Sequence, residues 1–136
     1  MPKLDDFNRI ENRIREIKEK ALEALDTLKA NMQDNTMFFK TPIFAHGKLS
    51  FSYYSIKIEI TVHLILNIDP ALITEGLIQT SIYDEAQNRF NHIPKYDIKI
   101  DRLGNIGTAY NKDEWMEHYY EKVIWDLYVT KKDITL

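Results

Sequence analysis

Tyr54-Ser55-Ile56-Lys57-Ile58-Glu59-Ile60-Thr61-Val62-His63-Leu64-Ile65-Leu66-Asn67-Ile68 carries an apolar side chain at every even position. Ser, Lys, Glu, Thr, His and Asn fill the odd positions, interrupted by Ile65. Period two marks a β-strand with one face in a core and the other in water. One-sided burial belongs to antiparallel sheets, because parallel sheets are covered on both faces. A slip of one residue would turn every apolar side chain outward, so the alternation itself specifies the register.

Upstream, Leu49, Phe51 and Tyr53 alternate on odd positions, and the apolar set jumps to even positions at Tyr54. This change of parity predicts a bulge or corner at Tyr53-Tyr54, where the sheet bends. Met37 to Ala45 reads as a first strand, with Pro42 suited to a sheet edge, and His46-Gly47-Lys48 as a turn. Downstream, Asp69-Pro70 ends the long strand, and Pro70 to Glu75 reads as one helical turn stopped by Gly76. Leu77 to Tyr83 is a shorter strand, Asp84 to Pro94 a polar loop, and Lys95 to Asp101 another half-wet strand. Asp101 to Asn105 is a hairpin turn and Ile106 to Tyr110 its return.

Helices bracket these strands. Phe7, Ile10, Ile14, Ile17, Ala21, Ala24 and Leu28 recur at steps of three and four, predicting a helix over 3–32. Asp5–Arg9, Glu11–Arg15 and Glu16–Lys20 are supporting i,i+4 pairs. A parallel coiled coil of two such helices would set Arg13 against Lys18 of the partner, so a homodimer of that kind is not expected. The oligomeric state is otherwise open. The pairs Trp115/Met116, Tyr119/Tyr120, Val123/Ile124 and Leu127/Tyr128 give a second helix over 112–131, with Asn111 and Glu114 in a capping-box pattern. The fold expected is α+β: a two-layer domain spanning 1–136, with a bent antiparallel sheet of five or six strands within 37–110 flanked by long N-terminal and C-terminal helices.

Several functions find no support in these residues. The chain has no cysteine, hence no disulfide, thiolate metal site or cysteine nucleophile. That fits a reducing compartment, and with no apolar leader or long apolar run the expected location is cytoplasmic, off the membrane. Net charge is −3, and no segment is basic, which argues against nucleic acid as a partner. No phosphate-binding glycine loop or nucleophile elbow occurs, and Gly104-Asn105-Ile106-Gly107 reads as a turn. His46, His63, His92 and His118 fall in four separate elements without metal-ligand spacing. Glu114, His118 and Glu121 share a helix face, but a carboxylate metal site on helices needs a second ligating helix, and the first helix has no histidine. No catalytic residue, cofactor or metal is assigned.

One residue stands out. Trp125 falls off the apolar stripe of the last helix and, at 3.6 residues per turn, points close to the direction of His118. An exposed tryptophan on a charged face is a common interface anchor. His118, Glu121, Lys122 and Trp125 are therefore the candidate binding residues, against the plainer reading that Trp125 flanks the core under the Asp84–Pro94 loop. The function expected is that of a non-enzymatic binding or adaptor protein acting through protein–protein contacts. The alternative is a small-molecule binder, or a small enzyme, with a pocket between the bent sheet and the helices.

Overall fold

The computed structural model describes residues 4–35, 38–65, 75–100 and 112–130. Helix α1 (Leu4–Asp34) leads into a meander of β1 (Phe39–Ala45), β2 (Lys48–Tyr53), β3 (Ile56–Ile65) and β4 (Glu75–Asp84). Strand β5 (Arg89–His92) follows, then a 3-10 turn (Pro94–Tyr96) and β6 (Ile98–Ile100). The chain closes in α2 (Lys112–Tyr119), a π turn (Tyr120–Ile124) and α3 (Trp125–Thr130), which run on as one helical segment. The antiparallel sheet has the order β1-β2-β3-β4-β5, with β6 also paired to β4. This is the α+β arrangement expected, a bent sheet with helices against its apolar face. The helical turn expected after Asp69-Pro70, the hairpin over 101–105, the strand over 106–110 and the Asn111 cap lie outside the described residues.

The alternation in β3 sets the layers. Ile58 and Ile60 are buried, with Leu49 opposite Ile60 and Phe51 opposite Ile58 in β2. Thr80 and Ile78 carry the same face across β4, and Ile98 and Ile100 across β6. On the other face Lys57 and His63 are exposed, while Glu59 is half-buried and paired to Lys48 at 3.2 Å. Helix α1 lays Ile17, Ala21, Ala24, Leu25, Leu28 and Met32 on the core. Its contact with the sheet is close at Gly76, where a Cβ would stand 2.9 Å from Ile17 Cγ2. The first turns of α1 reach past this contact, and Leu4 and Phe7 are exposed.

The structure differs from the sequence expectation at several places; of the strand expected from Lys95 onward, Ile98–Ile100 pairs with β4, and a 3-10 turn over Pro94–Tyr96 precedes it. The parity change at Tyr53-Tyr54 is a two-residue hairpin, with Tyr53 opposite Ile56, and not a bulge in one bent strand. A two-residue turn shifts the pleat in the same way as a bulge, so alternation alone does not tell them apart. The bulge lies in edge strand β1, between Lys40 and Ile43, where Thr41 has φ 49° and Pro42 follows. The polar stretch after Asp84 is a hairpin. Asp84 Oδ1 accepts from the Ala86 and Gln87 N–H groups, and β5 returns beside β4. With Phe90 as its one large apolar residue, β5 carries no alternation to read. No helix among the described residues is long and apolar enough to cross a membrane.

An aromatic groove as the candidate functional site

The C-terminal helical segment buries Trp115, Tyr119, Val123 and Leu127, each four residues after the last. In an α-helix a step of four drifts by about 40°, so the first and last of these would diverge by about 120°. The π turn corrects this. Trp125 N–H donates to the Tyr120 carbonyl, five residues back, and the wider turn takes back roughly a quarter turn over its length. The four side chains thus keep one heading, and Tyr119 Oη sits 3.1 Å from Thr80 Oγ1 in the core.

The same correction redirects Trp125. A uniform α-helix would set it beside His118; the intervening π turn rotates it away. Its indole is 62% exposed and stacks on Tyr128 with centroids 5.5 Å apart. Glu121, Ile124, Trp125, Tyr128 and Tyr120 form one wall of an open groove of about 610 Å³. Of the four residues singled out in the sequence, Glu121 and Trp125 line this groove. Lys122 instead donates to the Asp97 carbonyl at 2.8 Å, and His118 is half-buried outside the groove lining.

The facing wall comes from distant sequence. Asn35 closes α1: its N–H donates to the Met32 carbonyl, and its own carbonyl accepts from both Phe38 and Phe39. That junction sets Phe38 and Phe39 at the mouth of β1. Tyr54, at the tip of the β2–β3 hairpin, donates its N–H to the Phe38 carbonyl. Phe38 and Tyr54 meet edge to face at 6.3 Å, and Phe39 stacks on Tyr120 at 5.7 Å. Tyr120 Oη donates to Asn31 Oδ1 at 2.5 Å, which ties the helical segment to the end of α1. Tyr54 has φ 52°, a conformation suited to Gly or Asn and costing a bulky residue roughly 1–2 kcal/mol. The chain keeps a tyrosine there, with its ring on the groove.

The groove is apolar with a rim of polar tips. Among the described residues its lining holds one carboxylate, Glu121, and no lysine or arginine. Burial, then the neighbouring Tyr54 and Tyr128 phenols, hold the Tyr53 hydroxyl above its usual pKa, and burial pushes Tyr120 up to about 12. Both are neutral donors at physiological pH. Among the described residues no hydrogen-bond partner occupies the Tyr53, Tyr54 or Tyr128 hydroxyl or the Trp125 indole N–H.

A second cleft of about 510 Å³ lies between the β4–β5 hairpin and the end of the helical segment. Two of its lining residues are tied to Asp126: Lys95 pairs with it at 3.0 Å, and Tyr96 Oη donates to it at 2.5 Å. That hydrogen bond and Lys95 hold the Asp126 carboxyl below its usual pKa. His92 pairs with Asp97 at 2.6 Å. Among the described residues, no cluster of three or more histidines and carboxylates forms a metal site. No family model, curated protein or solved structure matches the chain.

Proposed function

We propose that this is a non-enzymatic binding protein whose aromatic groove docks a short linear segment of a partner protein. The observation that carries the reading is the exposure of three large aromatics on one opening: Phe38 at 43%, Trp125 at 62% and Tyr128 at 52%. Tryptophan and tyrosine dominate interface energetics because they bring large rigid area at low entropic cost. The strained Tyr54 adds to it, since a residue held against its backbone preference is a mark of a working surface. The volume accommodates a few residues of an extended chain, which favours a linear segment over a folded domain face. A chain without cysteine loses nothing in a reducing compartment, and we take the cytoplasm as its setting.

Small-molecule binding is the second reading, favoured by a volume inside the usual range for ligand pockets. Random linear peptides displayed against the full chain test the first. Clones recovered on the wild type should be lost on Trp125→Ala, which removes an exposed side chain and leaves the core intact. Clones that hold equally to both proteins would defeat the proposal.

A further inference from the structure

The hydrogen-bonding capacity of the groove narrows the occupant, given that the groove is the docking surface proposed above. Tyr53, Tyr54, Tyr128 and Trp125 bring hydroxyl and indole donors with no hydrogen-bond partner among the described residues. An α-helical ligand satisfies its own backbone and would leave these groups facing apolar side chains. A strand added by edge pairing would run along the free edge of β1, of which only Phe39 lines the groove. A polyproline II segment has the opposite need. It makes no internal hydrogen bonds, and at proline it presents carbonyl acceptors with no N–H. Its rings pack on flat aromatic faces, such as the stacked Trp125–Tyr128 pair. It is also ordered before it binds, which lets an open, shallow groove hold it at small entropic cost. Charge adds a direction: Glu121 is the one acidic or basic side chain among the described residues of the lining, so a basic residue beside the prolines is favoured and an acidic one is not.

We infer that the groove of Trp125, Tyr128, Tyr54 and Phe38 recognises a proline-rich segment of a partner protein in the polyproline II conformation, flanked by an arginine or lysine that meets Glu121.

Fluorescence polarisation on the full chain tests this with labelled peptides of equal length: an arginine-flanked oligoproline, the same oligoproline unflanked, an amphipathic helical peptide and a Gly-Ser peptide. The flanked oligoproline should bind saturably and tightest. Trp125→Ala should weaken it by at least about tenfold, the cost of losing an anchor. Tyr128→Phe keeps the ring and removes the donor, and should weaken both oligoprolines severalfold. Glu121→Lys should weaken the flanked peptide and spare the unflanked one. Circular dichroism and the melting temperature of each variant establish that it is folded. Oligoproline binding no tighter than Gly-Ser, or unchanged by Trp125→Ala, overturns the inference. Binding of the helical peptide alone, lost in Trp125→Ala, overturns it while leaving the docking surface in place. Sedimentation showing a dimer that Trp125→Ala abolishes overturns it in favour of a second copy of this chain. If no peptide binds and displayed clones ignore Trp125→Ala, the inference and the docking surface both fall.

Discussion

Replacing Ile60 with alanine tests the layer on which everything else rests. Ile60 is fully buried in the central strand β3, between Leu49 in β2 and Thr80 in β4. The change deletes three carbons, worth about 2.4 kcal/mol of transfer free energy at about 0.8 kcal/mol each. Its neighbours Leu49, Ile58 and Ile78 are themselves buried and belong to paired strands, so the space closes only in part. A residual cavity on the order of 80 Å³, at about 24 cal/mol per Å³, adds about 2 kcal/mol. The expected loss is about 2.5–4.5 kcal/mol. Urea unfolding followed by circular dichroism should show a midpoint lowered by roughly 1 M or more with an unchanged slope. His63→Ala, on the wet face of the same strand, should stay within about 0.5 kcal/mol of wild type. An Ile60→Ala protein that unfolds with wild type, or a His63→Ala protein that loses as much, would refute one-sided burial.

Thr80→Val leaves the buried Tyr119 hydroxyl without its partner and should cost about 1–3 kcal/mol, whereas Thr80→Val with Tyr119→Phe should cost less than the two single changes added together, as denaturant unfolding of the four proteins would measure. The folded-state pKa of Tyr96, Tyr119 and Tyr120 is raised, mainly by burial, that of Tyr120 to about 12. A raised pKa favours the protonated fold, so this stability is complete below the unfolded phenol value near 10 and declines as pH climbs through 10 to 12. Denaturant midpoints across that range should fall, and less steeply in Tyr120→Phe. Tyr54→Asn relieves the positive φ but removes the ring, so thermal melting should change by less than about 1 kcal/mol in stability while peptide affinity drops about tenfold.

The long elements were legible because each rests on a period. The α1 stripe from Ile17 to Leu28 and the alternation from Ile56 to Leu64 each report one buried face, and the structure places both on the core. The C-terminal helix was legible as an element but not in its phase. Steps of four among Trp115, Tyr119, Val123 and Leu127 fit a slightly rotated α-helix as well as a π turn, and the difference carries Trp125 from His118 to Tyr128. Its place off the stripe left Trp125 open between an exposed anchor and a residue flanking the core, and the structure exposes it. The facing wall did not, because Phe38, Tyr53 and Tyr54 each read as strand or core residues on their own. They converge on Trp125 through the Asn35 junction and the β2–β3 hairpin, which are tertiary facts. A tyrosine where a two-residue turn favours glycine or asparagine was the one local signal of that wall.

The two tryptophans offer the most direct test of the groove as the working surface. Trp115 is fully buried and Trp125 is 62% exposed, so their indole N–H resonances separate a groove event from a change in the core. Proton–nitrogen correlation spectra of the full chain, recorded as a displayed-library peptide is titrated in, read both at once. The Trp125 indole N–H and the backbone signals of Asn35, Phe38 and Tyr54 should move together while the Trp115 indole stays in place. A saturable titration that leaves Trp125 still and moves the β4–β5 hairpin or the outer face of the sheet would contradict the account.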